Sequence, residues 1–103
     1  MKRGLFAPRA LRELREAAAW IAQDNPDAAE ALLRAAVRAS EMIAVKPTFA
    51  RVRLDLAPAR FRFWSLRGYP YLLVFDVDRV PAVVARLVHQ ARDLPVALRD
   101  LEV

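Results

Sequence analysis

Six basic side chains, Lys46, Arg51, Arg53, Arg60, Arg62 and Arg67, crowd the stretch between residues 46 and 67, where Asp55 is the only carboxylate. Guanidinium groups do two kinds of work. They hold anionic partners, and where several converge they align a phosphodiester and stabilise the charge that develops on it without a dedicated base. Alternation along a strand places Arg60 and Arg62 on one face, and Arg86 falls on a later strand. Arg51, Arg53, Arg60, Arg62 and Arg86 are therefore the candidates for a converging catalytic set. The plainer reading is a solvated sheet face or the docking surface of an acidic protein. Little else in the chain could do chemistry. His89 is the only histidine and there is no cysteine, which leaves no familiar zinc or copper ligand set. Gly4 and Gly68 are the only glycines, so there is no glycine-rich phosphate loop, and neither a G-x-S-x-G elbow nor a Cys/His pair occurs. No metal or cofactor is expected, and ordinary hydrolase and nucleotide-dependent chemistries drop out.

Aromatic residues beside arginines are typical of interfaces. Trp64, two residues from Arg62 on the same predicted strand face, is the better interface candidate, and Trp20 is expected to pack at the edge of the core. His89 and Arg92 close the last predicted strand. A histidine there commonly bonds the following turn, and Arg92 with Asp93 would tether the tail. The binding candidates are thus Arg51, Arg53, Arg60, Arg62, Trp64, Arg67, Arg86, His89 and Arg92.

The elements that must position these residues can be read from the hydrophobic spacing. Pro8 suits a first helical turn, and Leu11, Leu14, Ala18 and Ile21 form an apolar stripe opposite Arg12, Glu13, Arg15 and Glu16. Asp24-Asn25-Pro26-Asp27 breaks and restarts the helix, with Asn25 as cap. The second helix is expected to turn Ala29, Leu33, Ala36, Val37, Ser40, Ile43 and Ala44 inward and to end before Pro47. A loop then carries Lys46, Arg51, Arg53 and Pro58. Strands follow over residues 60–66, 71–77 and 80–89, the first two joined by a turn at Arg67-Gly68-Tyr69-Pro70. Residues 3–6 read as a short extended lead-in. This order argues for an α+β fold, a short N-terminal strand and a helical hairpin packed on a three- to four-stranded antiparallel sheet, within one domain spanning residues 1–103.

Composition sets the bounds. Of the 103 residues, 56% are hydrophobic, enough to offset the ordering entropy of one core, and no apolar run approaches the roughly 20 residues of a membrane-spanning helix. The absence of cysteine agrees with a reducing cytoplasm, and no cleaved export signal is expected after Met1-Lys2-Arg3, because Pro8, Arg9, Arg12 and Glu13 interrupt any apolar run. The net charge is +5, and residues 46–67 hold all of the excess, because positive and negative side chains cancel elsewhere. An anionic partner, nucleic acid or acidic protein, is the natural complement.

Several of these features occur together in one family. Ala7-Pro8-Arg9-Ala10 after a short strand, the hairpin broken at Asp24-Asn25-Pro26, and Lys46-Pro47 followed by Arg51 resemble the ParE/RelE toxin superfamily. So do Tyr71-Leu72-Leu73-Val74-Phe75 and the close Arg86-Leu87-Val88-His89-Gln90-Ala91-Arg92-Asp93. The chain departs from the family pattern at Ala7, where a capping Ser or Thr is frequent, at Ala50, where Gly is frequent, and at Phe75, where Tyr is common. The resemblance implies the toxin of a bacterial type II, plasmid-stabilisation toxin–antitoxin pair. Its cognate antitoxin, of the ParD kind, would wrap the toxin. ParE-like members poison DNA gyrase without a known catalytic residue, and RelE-like members cleave mRNA on the ribosome. Ribonucleases of the group carry a functional aromatic or basic group near the C-terminus, whereas residues 93–103 here have no Tyr, His or Lys and are net acidic. The resemblance therefore favours a gyrase poison over a ribonuclease. Direct nucleic-acid binding is not favoured, and a third reading is a non-toxic antitoxin ligand or co-repressor. Reversing Arg60 and Arg62 to Glu is expected to weaken antitoxin binding.

Overall fold

The computed structural model describes residues 5–101. Helix α1 (Pro8–Ala22) starts at a proline whose missing N–H would have been unpaired anyway, and its N-cap Ala7 is extended but makes no side-chain cap bond. Helix α2 (Pro26–Val45) follows after a sharp break. The Asn25 side chain accepts the Ala28 N–H at 3.1 Å, and Asp27 lies in the positive first turn. Alanines 10, 17, 18, 29, 36 and 39 are buried on the two helices, so the backbones approach closely. Pro47 ends α2 and opens a 3-10 turn (Pro47–Phe49).

Four antiparallel strands lie in chain order: β1 (Arg51–Val52), β2 (Phe61–Ser65), β3 (Tyr71–Asp76) and β4 (Val83–His89). The helices cover one face, where Leu14, Leu32, Ile43, Leu73, Phe75, Val84 and Leu87 pack. The second face is also buried. Phe61, Phe63, Leu72, Val74 and Val88 are closed over by Ala57 and Leu56 of the β1–β2 connection and by Leu98 and Leu101, which follow the short helix α3 (Leu94–Ala97). Strand β3 lies between two covered faces and two neighbouring strands, which explains why residues 71–75 run without the polar alternation of a one-sided strand.

Several expectations need correction. The inward stripe of α2 is Ala29, Leu32, Ala36, Ala39, Ser40 and Ile43; Leu33, Val37 and Ala44, also expected inside, lie at its margin, only partly buried. Strand β4 starts at Val83, not residue 80, because Val80 is 95% exposed in a turn and Pro81 has no N–H for a ladder. Arg51 and Val52, expected in a loop, form an edge strand. Trp20 does not pack at the core's edge and is 71% exposed. Of the extended lead-in, Arg3 and Gly4 lie outside the described residues, while Phe6 makes a parallel bridge to Val84. The hairpin turn is as expected: Leu66 N–H bonds Tyr71 O at 3.0 Å, with Gly68 at φ +86°.

Candidate partner-binding surface

Sheet register decides which arginines can meet. Arg62 lies opposite Phe75 and Arg86 opposite Val74, and consecutive residues of β3 face opposite sides. Arg62 is thus on the helix-covered side and Arg86 on the other. The expected convergence of Arg60, Arg62 and Arg86 does not occur.

Arg86 is instead a buried structural ion. Only 3% of its side chain is exposed; Nη2 lies 2.8 Å from Glu13 Oε2 on α1, Nη1 donates to Ala97 O at 2.9 Å, and Asp100 Oδ1 is 3.4 Å away. Glu13 also accepts the Leu87 N–H at 2.9 Å, so this carboxylate satisfies both the buried cation and the edge of β4. Arg9 joins from outside, 2.8 Å from Asp100 Oδ2. That hydrogen bond holds the Asp100 carboxyl below its ordinary range. Desolvation partly opposes the shift, and the charges of Arg9 and Arg86 add to it. Glu13, expected on the polar side of α1, and Asp100, expected only as part of the acidic tail, tie helix, sheet and tail together. The pair of acids around one arginine has no local signal, since residues 13, 86 and 100 meet only through the fold.

The other arginines divide by whether a carboxylate holds them. Arg60 donates to buried Asp76 at 2.7 Å, lies 4.0 Å from Asp78, and sits 4.9 Å over the Phe61 ring. Arg53 grips Asp55 through two bonds of 3.0 and 2.7 Å, which raise its pKa and lower that of Asp55. Arg62 is half-buried, and its Nε has no hydrogen-bond partner among the described residues. Arg51, Arg67 and Arg92 are exposed, with no ion pair among the described residues. Arg51 and Arg67 line one open hollow of about 410 Å³ with Phe49, Phe63, Trp64 and Ser65. Trp64 packs partly against the helix-side core and partly forms this wall, so the interface expectation and a core role share one ring. Phe49, not singled out from sequence, lies 46% exposed beside it, with the Lys46 ammonium 5.2 Å above its ring.

His89 and Arg92 lie elsewhere, in a shallower hollow with Glu13, Glu16 and Tyr71. The His89 Nδ1 accepts the Ala91 N–H at 3.0 Å and the ring meets Tyr71 edge-on at 5.3 Å, the turn-bonding role expected at a strand end. Among the described residues, no three His, Cys, Asp or Glu side chains gather as a metal site would need, and no helix is long and apolar enough to cross a membrane.

This architecture, two helices on a four-stranded antiparallel sheet with a basic margin, agrees with a comparison of sequence families. The model of the ParE toxin of the type II toxin–antitoxin system, parDE, matches residues 5–94. The chain belongs to the ParE toxin family. Against individual curated proteins it finds no match. The family match spans both helices and all four strands and stops at the start of α3, so the tail that completes the second core of this ParE-family toxin lies beyond it. Family membership makes the chain a type II toxin and implies an antitoxin as its partner.

Proposed function

We infer that this ParE-family toxin acts by binding, as a poison of DNA gyrase that stabilises the cleaved DNA complex, and that a cognate ParD-like antitoxin neutralises it by covering the margin from Arg51 to Arg67. The single observation that carries the choice of binding over catalysis is the burial of Arg86 against Glu13. A ribonuclease working by arginine positioning needs its guanidinium groups around one phosphate. Here Arg86 is on the far face of the sheet and Arg60 and Arg53 are each neutralised by a neighbouring carboxylate. The margin retains exposed Arg51 and Arg67, which suit an acidic partner.

The structure also changes which substitutions test the antitoxin contact. Arg60→Glu would set a carboxylate beside buried Asp76, so lost binding in that variant would report misfolding as readily as lost contact. Arg51→Glu with Arg67→Glu reverses the same field at exposed positions.

The first test is growth. Expression of the chain alone is expected to arrest bacterial cells, and co-expression of the antitoxin encoded beside it to restore them. Unimpeded growth, with folded protein present, would contradict the toxin mechanism and leave the role of antitoxin ligand or co-repressor.

A further inference from the structure

Trp20 belongs neither to the hydrophobic core nor to the basic margin. It stands 71% exposed near the end of α1, although burying a ring of that size is among the largest single gains open to a small domain. A lone surface hydrophobic carries no argument. The charges around this one do.

Between residues 16 and 33 the chain has four carboxylates, Glu16, Asp24, Asp27 and Glu30, and no Lys or Arg, although its net charge is +5. All four are exposed. Asp27 has a local reason in the positive first turn of α2, and Glu30 pairs with Arg34 at 3.6 Å. Glu16 and Asp24 have no ion pair among the described residues, and the last turn of α1 lacks the basic residue that its dipole favours. Glu16, four residues before Trp20, shares its helical face. Asp24 N–H bonds Ile21 O at 3.1 Å and Asn25 N–H bonds the same oxygen at 2.9 Å. The helical path therefore runs on past Ala22 and keeps Asp24, four residues after Trp20, on that side. The hairpin tip is an acidic pole around an indole. Helix α2, 20 residues long, separates it from Lys46 and the basic margin by about 30 Å.

Carboxylates flanking an exposed indole select a partner of definite chemistry. A guanidinium or ammonium group stacks on the ring and is neutralised by the acids beside it, so the complement is a protein surface rich in Arg and Lys. A nucleic acid would be repelled, and an acidic antitoxin segment suits the other pole. Enzymes that hold DNA carry basic surfaces to do so. We propose that the acidic tip around Trp20 is the surface by which the toxin grips its target, docking on a basic patch of a DNA-binding enzyme, apart from the margin that the antitoxin covers. The inference rests on the gyrase reading above. Its consequence is that target binding and antitoxin binding separate by substitution. A second copy of the chain, whose basic margin has the same chemistry, is the competing occupant.

The test uses the full chain, antitoxin-free, with purified gyrase and supercoiled DNA, and titrates each variant with the antitoxin. Trp20→Ala, and separately Glu16→Lys with Asp24→Lys, are expected to need at least about tenfold more protein for the same accumulation of cleaved DNA, and to bind antitoxin within about twofold of wild type. Trp20→Tyr, which keeps an aromatic face, is expected to fall between. These positions are exposed, so melting temperatures should hold, and if Trp20→Ala fails to fold, the charge reversal decides. Cleavage by folded variants equal to that of wild type overturns the proposal. Antitoxin affinity lost in step with cleavage also overturns it and gives the tip to the antitoxin. Self-association of wild type in sedimentation, abolished by Trp20→Ala, overturns it in favour of a second copy. Wild type that leaves gyrase unaffected overturns the gyrase reading itself, and shows this without any variant.

Discussion

Arg86 shows how a residue can look functional in sequence and prove architectural. Its guanidinium is nearly fully buried, and a buried cation that loses its partner, or a carboxylate left behind by one, costs about 3–5 kcal/mol. Arg86→Ala is therefore expected to lower the melting temperature by more than about 10 °C, and Arg86→Met with Glu13→Gln to recover part of it, because Gln still accepts the Leu87 N–H. Loss of antitoxin affinity with an unchanged melting temperature would return Arg86 to the binding surface. Asp100 gives a second check at this scale. Its folded-state pKa is depressed, so its stabilising share is present above the ordinary aspartate range and is lost as pH falls through the folded value. The melting-temperature gap between wild type and Asp100→Asn should be present at neutral pH and close as pH drops below about 4. A gap that held constant into strong acid would remove the ion pair with Arg9 from the account. The pairing of neither Glu13 nor Asp100 was legible beforehand, because acids 73 and 14 residues from Arg86, and 91 from Arg9, leave no spacing to read.

At the scale of elements, what was legible followed from local rules, and what was missed followed from tertiary packing. Asn25-Pro26-Asp27 fixed the helix restart, and the mostly apolar run from Tyr71 announced a strand, though its burial on both faces was not read from it. The α2 stripe was misread at Leu33 and Val37 because alanines can be buried or exposed without altering the pattern, and in an alanine-rich helix the face is set by what it packs against. Strand β1 escaped notice because two residues carry no period, and it exists only through pairing with Phe63 and Arg62. Among the described residues, Gly68 has a backbone that requires glycine's freedom. With φ at +86° and open space where a Cβ would stand, Gly68→Ala should cost about 1 kcal/mol through conformation alone, with Gly68→Asn milder; denaturant titration would show it, and equal losses would point to a contact instead.

At the scale of the whole molecule, charge and topology act together. The net positive charge was legible as a run in the chain, but its division into held and exposed arginines was not, since Asp76 reaches Arg60 across a strand pair. The result is a sheet closed at β4, covered on both faces, and basic at its remaining edge. On the reading proposed above, such an object holds partners and does not cut a phosphodiester. The most direct measurement is a DNA-cleavage assay with purified gyrase, supercoiled DNA and antitoxin-free protein, run beside a translating-ribosome assay on mRNA. The account predicts accumulated cleaved DNA and intact message; cut message with normal supercoiling would contradict it.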